Sequence, residues 1–195
     1  HPDLHSFPTR PSSDLYVADV GGLVILDVNS PVAPSLVGRY DTGSAAYGIA
    51  VSGNYAYIAD LQNGVLIFDI NDPVAPKHVG SYDITSYGIA VSGNYAYIAD
   101  LWNGFVILDI SNPLSPTFAG RHDIFGRAYD VVVSGDYAYI ADWGNGLVIV
   151  DISNPAAPAL VGRYNTAGGA RDVAVSGNYA YIADWGNGLV IVDIS

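Results

Sequence analysis

The sequence predicts an all-β protein, a β-propeller built from four-stranded antiparallel blades. A phrase of six residues recurs about every forty residues, and no segment shows the periodicity of an amphipathic helix. All nineteen acidic residues are aspartate, which favours turns, and the chain also has 22 glycines and 11 prolines. These observations indicate many short strands joined by tight turns.

The recurring phrase is Tyr-Ala-Tyr-Ile-Ala-Asp. It begins at Tyr55, Tyr95, Tyr137 and Tyr179, with spacings of 40, 42 and 42 residues, and a degenerate copy begins at Tyr16. A period of about 40–45 residues is typical of propeller blades. A single four-stranded sheet cannot bury both of its faces, so each blade must stack on its neighbours. The sequence therefore predicts about five blades.

Each repeat divides into four strand signals. Residues 172–175 form the first signal, and residues 137–141 form the second, in which large and small side chains alternate. Residues 147–150 are apolar at every position, as expected of a strand that is covered on both faces. Residues 159–164 follow a turn bounded by prolines and supply the fourth strand.

The two end repeats are incomplete by this division. The repeat begins at a second strand near Tyr16 and ends after a third strand at Ser195. The sequence thus predicts eighteen strands, with three complete blades between two incomplete ones. We expect residues 16–195 to be a fragment of a propeller.

Residues 1–15 do not belong to the repeat. They contain no apolar segment of the kind found in signal peptides. The stretch from His5 to Leu15 resembles one reading frame of a common sequencing adapter and departs from it at Pro11. We expect residues 1–15 to be a non-native or disordered tail, and the native N-terminus to be missing.

Two segments, residues 147–151 and 189–193, both read Leu-Val-Ile-Val-Asp. Looser copies occupy residues 23–27, 65–69 and 105–109. Together with the Asn-Pro-x-x-Pro and Ser-Gly-Asn-Tyr phrases, these segments resemble the LVIVD-repeat family over essentially everything after Leu15. The resemblance implies a β-propeller of bacterial or archaeal surface and secreted proteins, with no general biochemical activity. An extracellular or cell-surface location is therefore expected.

Charge and composition exclude several classes of partner. The net charge is −12, with only seven basic residues, whereas binding to nucleic acid needs clustered lysine and arginine. The chain has no cysteine, so it has neither disulfides nor thiolate metal sites. Its apolar runs of about seven residues at most are too short to span a membrane. We expect no nucleic-acid partner and no membrane-spanning segment, and the sequence leaves the oligomeric state open.

Aspartates recur at two positions of the repeat. They are calcium ligands in one interpretation and acceptors for turn N–H groups in the other. The Asp-x-x-Asn-Gly hairpin lacks the alternating acidic ligands of known calcium loops, so we expect a structural role, no metal site and no cofactor. The first set is Asp19, Asp60, Asp100, Asp142 and Asp184, and the second is Asp27, Asp69, Asp109, Asp151 and Asp193.

Function is expected where the blades differ, because the repeated residues form the scaffold. Loops after the second strand and joints between blades should fall on one face, and aromatics with arginine are typical of binding surfaces. A protein or a glycan is the expected partner. In the alternative interpretation, the tryptophans merely pack against neighbouring loops. The candidate binding residues are Trp102, Trp143, Trp185, Phe125, Arg127, Tyr129 and Arg171.

Four charged residues accompany the last two joints: Arg127, Asp130, Arg171 and Asp172. Asp130 and Asp172 replace the glycines of earlier blades. Because innermost strands line the central channel, the four residues form either a charged channel mouth or an internal set of ion pairs. We favour the ion pairs.

Catalysis finds little support in the sequence. Glutamate and cysteine are absent, and the two histidines outside the tail, His78 and His122, lie in different blades. His78 is expected on an outermost strand. Only His122 with Asp123 and Asp130 could form an acid–base group. We expect no enzymatic activity; the alternative is part of a propeller hydrolase or lyase whose catalytic residues lie outside this chain.

Overall fold

The computed structural model describes residues 14–195, which form eighteen strands. The strands make five antiparallel sheets of three, four, four, four and three strands in chain order, which confirms the predicted number and division. The described residues include no helix of the length and apolarity needed to cross a membrane.

The predicted tail falls mostly outside the described residues, which exclude residues 1–13. Its last two residues, Asp14 and Leu15, belong to the first strand, where they pair with Asp27 and Leu26. The first sheet therefore begins two residues before the boundary suggested by the repeat.

The strands follow the repeat sheet by sheet. Sheet 1 contains β1 (Asp14–Asp19), β2 (Gly22–Asp27) and β3 (Ser35–Asp41). Sheet 2 contains β4 (Ala46–Ser52), β5 (Tyr55–Asp60), β6 (Gly64–Asp69) and β7 (Lys77–Tyr82). Sheet 3 contains β8 (Gly88–Ser92), β9 (Tyr95–Asp100), β10 (Gly104–Asp109) and β11 (Thr117–His122). Sheet 4 contains β12 (Ala128–Ser134), β13 (Tyr137–Asp142), β14 (Gly146–Asp151) and β15 (Ala159–Tyr164). Sheet 5 contains β16 (Ala170–Ser176), β17 (Tyr179–Asp184) and β18 (Gly188–Asp193).

Successive sheets meet along their first strands. Neighbouring strands within each sheet follow chain order, and β4 contacts β8, β8 contacts β12, and β12 contacts β16. The first strand of each complete sheet is therefore innermost and the fourth is outermost. His78 lies on β7, an outermost strand, as predicted.

The alternation of tyrosine and alanine packs each of the three inner sheets against two others. Ala138 and Ile140 of β13 pack in the core shared with sheet 3, which includes Tyr97, whereas Tyr139 and Ala141 pack in the core shared with sheet 5. A fully buried aliphatic or aromatic side chain stabilises the fold by about 1.5–3 kcal/mol. The blade interfaces are thus the hydrophobic core.

A glycine in three of the four outermost strands, β3, β7 and β11, allows the next blade to approach closely. The pairing of β6 with β7 shifts at a bulge beside Gly80. A Cβ atom added at Gly80 would lie 2.1 Å from the carbonyl oxygen of Pro113, in the proline turn of the next sheet. Gly38 and Gly120 lie equally close to the next proline turns.

Candidate functional site

The hairpin between the second and third strands is held by its repeated aspartate. Oδ1 of Asp100 accepts hydrogen bonds from the backbone N–H groups of Trp102 (2.9 Å) and Asn103 (3.0 Å). Oδ2 accepts the side-chain amide of Asn103 at 2.8 Å. Turn N–H groups are bound in the same way by Asp60, Asp142 and Asp184.

The second set of aspartates has an equivalent role. Each accepts the N–H group two residues further along the chain, as Asp109 does from Ser111 at 2.8 Å. The hydrogen bonds of the serine lower the pKa of Asp109. The predicted structural role is therefore observed in both sets. Among residues 14–195, no three histidine or aspartate side chains are grouped closely enough to hold a metal ion.

Threonine completes the hydrogen bonding of two buried hairpin aspartates. Thr42 donates its hydroxyl to Oδ2 of Asp60 at 2.7 Å, and Thr166 donates to Asp184. The hydroxyl of Thr166 is the main cause that lowers the pKa of Asp184. The equivalent position before sheet 4 is Ile124, and Oδ2 of the buried Asp142 has no hydrogen-bond partner within residues 14–195.

The hairpins of sheets 4 and 5 are each tied to the joint that precedes the sheet. The N–H group of Trp143 donates to the carbonyl of Arg127 at 2.9 Å, and that of Trp185 donates to the carbonyl of Gly169 at 2.9 Å. The hairpins and the joints therefore meet at one edge of the blades, as predicted. We call this edge the loop face.

Arginines of the joints lie on the tryptophans of the hairpins. The guanidinium carbon of Arg127 lies 5.2 Å from the ring centroid of Trp102. That of Arg171 lies 4.6 Å from the centroid of Trp143 and 5.5 Å from that of Trp185. These distances are in the range of cation–π contacts.

Arg171 also brings Tyr129 into its cluster, with the guanidinium carbon 4.3 Å from the ring centroid. Six of the seven predicted binding residues thus fall into two clusters. Phe125 joins neither of them. It is 90% exposed, has a φ of 51°, and makes no ring contact with another described residue.

The three tryptophans differ in how much they are covered. Trp143 is half-buried, because the backbone at Gly169 lies against its indole ring; a Cβ atom there would be 2.9 Å from Cε3. Trp102 is 64% exposed. Trp185 is 75% exposed, and no joint follows it within the described residues. Packing against a neighbouring loop therefore describes Trp143, whereas Trp102 remains on the surface.

The predicted internal ion pairs are wrong. Among the described residues, neither Arg127 nor Arg171 forms an ion pair, because each guanidinium lies on aromatic rings of a hairpin instead. Oδ2 of Asp130 accepts the backbone N–H group of Val173 at 3.1 Å. The alternative fits better, since Asp130, Arg171 and Asp172 line one cavity.

Tyrosines occupy one repeat position in three successive blades. Tyr47 and Tyr87 stack with centroids 4.3 Å apart and ring planes at 22°. Tyr87 and Tyr129 meet edge to face at 5.2 Å. The same position in the next blade is Arg171, which lies over Tyr129. We call the three rings the tyrosine arc; aligning the repeats would have revealed it, because each tyrosine precedes Gly48, Gly88 or Asp130.

The tyrosine arc borders a cavity of about 200 Å³, the channel-mouth pocket, at the innermost strands. Gly88 allows β8 and β12 to approach, because a Cβ atom there would lie 2.6 Å from Cα of Asp130. Burial raises the pKa of Asp130 to about 6, and the charge of Asp172 acts in the same direction, although the hydrogen bond from Val173 opposes them. The lining residues are Tyr47, Tyr87, Gly88, Tyr129, Asp130, Arg171 and Asp172.

The possible acid–base group is divided between two sheets. His122 ends β11, the outermost strand of sheet 3. Asp130 lies on β12, the innermost strand of sheet 4. One strand is peripheral and the other is central, so the topology does not bring His122 and Asp130 together as an acid–base pair.

Five successive antiparallel sheets that meet along their first strands define a β-propeller repeat protein. The chain belongs to the LVIVD-repeat family, whose repeat it matches five times: at residues 15–42, 43–84, 85–124, 125–166 and 167–195. Each match covers the strands of one sheet, so the repeat in sequence is the blade in structure.

Solved structures share this fold at low sequence identity. The computationally designed Ika8 protein aligns with a TM-score of 0.70 and 9% identity over 95% of this chain. The Cps50 (Swd1) β-propeller domain of Myceliophteria thermophila gives 0.69 and 15% over 93%, and BamB from Moraxella catarrhalis gives 0.63 and 15% over 92%. These likenesses show the fold alone.

The chain is shorter than these structures. It spans 57% of Ika8, 70% of the Cps50 domain and 54% of BamB. No curated protein matches the sequence.

Proposed function

We propose that this protein is a non-enzymatic binding domain of an extracytoplasmic protein, and that its loop face engages a protein or glycan partner. One observation carries the proposal: Trp102 is 64% exposed on the loop face, with Arg127 beside its ring. The hairpin that displays Trp102 is fixed by Asp100. A large aromatic side chain on a rigid support loses little entropy when it is buried by a partner.

The chemistry of this face supports binding. Tryptophan, tyrosine and arginine dominate the energetics of interfaces, and burying apolar area contributes about 25 cal/mol per Å². Trp102 lies at a position where neighbouring blades differ in sequence. The equivalent hairpin in sheet 2 carries Leu61 and Gln62, in place of Leu101 and Trp102. Variation on a constant scaffold is how repeat proteins acquire partners.

The experiment compares the parent domain with Trp102→Ala and Arg127→Ala. Leu114→Ala is the matched control, because Leu114 is also 64% exposed but lies in the turn between β10 and β11, at the opposite edge of the blade. The labelled proteins are applied to a microarray of bacterial surface glycans and to one of secreted bacterial proteins.

We expect the parent and Leu114→Ala to bind the same spots, and the two loop-face variants to lose them with unchanged melting temperatures. If the loop-face variants keep every spot, or if the parent binds none, the loop face is not a binding surface of this kind.

The proposed location has support from the family, since the LVIVD resemblance implies surface and secreted proteins. Sequencing the complete reading frame tests it. A signal peptide upstream of the first repeat would agree with an extracytoplasmic protein. A complete frame that lacks any export signal would contradict the location, but not the binding role.

A further inference from the structure

We propose that the channel-mouth pocket binds a single cationic group, an alkylammonium or guanidinium head of the kind that ends lysine and arginine side chains. This inference rests on the proposed function, because it names the chemistry of one ligand of the loop face. It is carried by the size of the pocket, its carboxylates and its rings.

The size of the pocket favours a small group. Its volume of about 200 Å³ is below the roughly 300–1,000 Å³ of pockets that enclose drug-sized ligands. One side-chain head group fits this space, whereas an oligosaccharide does not. A glycan bound by the loop face would therefore have to lie on the tryptophans outside the pocket.

The charge of the pocket favours a cation. Asp130 and Asp172 both line it, and neither forms an ion pair within residues 14–195. Arg171 also lines it, but its guanidinium lies against Tyr129 and Trp143. With both carboxylates ionised, the pocket has one more negative charge than positive. The net charge of −12 on the chain would also attract a basic ligand.

One ring of the pocket, that of Tyr129, already contacts a cationic side chain, Arg171. Arg171 occupies the fourth position of the tyrosine arc and lies over the ring of the third, Tyr129, at 4.3 Å. No arginine or lysine of the described residues lies over Tyr47 or Tyr87 in this way. Tyr47 is 53% exposed, so it can receive a cation from outside. The tyrosine arc thus has three rings, but only one of them, Tyr129, is covered by an arginine of the protein.

Protonation of Asp130 should control this binding. The titratable and charged groups that line the pocket with Asp130 are Asp172 and Arg171 on β16, Tyr87 beside Gly88, Tyr129 on its own strand, and Tyr47 on β4. Because burial raises the pKa of Asp130 to about 6, the carboxylate is largely neutral at pH 5 and ionised above pH 7. A cation should bind more tightly at the higher pH.

The test is an NMR titration of the tyrosine ring signals with four probes. Capped lysine (Nα-acetyl-lysine methylamide) and capped arginine represent a protein side chain, and methylammonium represents a free amine. Capped norleucine is the neutral control, because it resembles lysine without the charge. The variants are Asp130→Asn, Asp172→Asn and Asp136→Asn. Asp136 is the matched control, because it is exposed and Asn54, Asn94 and Asn178 occupy its place in other repeats.

We expect both capped cations to bind at pH 7.5, with affinity reduced about tenfold at pH 5 and in Asp130→Asn. Asp172→Asn should also weaken binding, and because Asp172 is exposed this substitution leaves the fold intact. Asp136→Asn should leave the affinity unchanged. Binding of the capped residues but not of methylammonium would assign the site to a protein side chain. The reverse would assign it to a small amine.

Equal binding of norleucine and lysine would overturn the inference, as would an unchanged affinity in both Asp130→Asn and Asp172→Asn, or no shift with any cation. If these results came with array binding that still depends on Trp102, the proposed function would stand and only the cation site would fall.

Discussion

Arg171 lies over the ring of Tyr129, and the two residues occupy the same position in neighbouring repeats. A residue that differs between blades has thus become the partner of a residue that is repeated. The contact links β12 to β16 at the innermost edge, where the loop face meets the channel. It shows how substitution at one repeat position can create a contact between blades without altering the strands of the blade.

A double-mutant cycle measures this contact. Tyr129→Leu and Arg171→Met, singly and together, should give a coupling free energy of about 0.5–1 kcal/mol in urea unfolding, as expected of an exposed cation–π pair. A control cycle that combines Tyr129→Leu with Arg163→Met should give no coupling free energy, because Arg163 is an exposed arginine of the outermost strand β15. Zero coupling between Tyr129 and Arg171 would mean that the observed stacking does not stabilise the protein.

Thr42→Val should destabilise the protein by about 1–3 kcal/mol, because it removes the hydroxyl that donates to the fully buried Asp60 and leaves a carboxylate oxygen unsatisfied. Thr117→Val, at an exposed position of β11, is the control and should change the free energy of unfolding by less than about 0.5 kcal/mol. Equal effects of the two substitutions in urea unfolding would contradict the assigned role of Thr42.

Gly80→Ala should destabilise the protein by about 1–3 kcal/mol, since the added methyl group would overlap the carbonyl of Pro113 and push two blades apart. Gly162 is the matched control, because it has the same place in β15 but a Cβ atom there meets only Ile149, at 3.7 Å. Thermal melting of Gly80→Ala and Gly162→Ala compares them. Similar melting temperatures would show that the proline turn can move aside.

The stability of the protein should depend on pH through Asp130. Its pKa in the folded protein is about 6, above the ordinary 3.8, so the folded state retains a proton that the unfolded state releases. This contribution to stability is complete below about pH 4 and is lost as the pH rises through about 6, with a size of at most about 3 kcal/mol.

Asp130→Asn should remove this dependence and be more stable than the parent at pH 7.5. Asp109 and Asp151 have lowered pKa values and act in the opposite sense below about pH 4, so the informative quantity is the difference between variant and parent. Parallel stability curves from pH 4.5 to 7.5 would show that Asp130 does not cause the pH dependence.

The blades could be predicted because they depend on local patterns. Alternation in Tyr-Ala-Tyr-Ile and the turn residues that follow fix strand, register and face, so strand number and aspartate roles were correct. The partners of Arg127 and Arg171 were not correct, because spacing along a chain does not show which way a long side chain points. Each guanidinium contacts a tryptophan ring of the preceding sheet instead of a carboxylate. The distance between an arginine and that ring depends on how closely the blades pack, which the sequence does not show.

Other features were missed although their signals were present. The tyrosine arc is visible once Tyr47, Tyr87 and Tyr129 are aligned. Thr42 and Thr166 also share a repeat position, but their role depends on the burial of aspartates eighteen residues away. The volume of the channel-mouth pocket follows from the approach of β8 and β12 at Gly88, which only the packed structure provides.

We propose that the hairpin aspartates form the scaffold, and that the exposed residues that differ between blades, such as Trp102, form the functional surface. Asp100 and Trp102 belong to the same hairpin and test it directly by the melting temperatures of Asp100→Ala and Trp102→Ala. We expect Asp100→Ala to lower the melting temperature by roughly 4–12 °C, because buried hydrogen bonds are lost, and Trp102→Ala to change it by less than about 2 °C. Similar decreases for both variants would contradict the claim, since Trp102 would then be part of the scaffold.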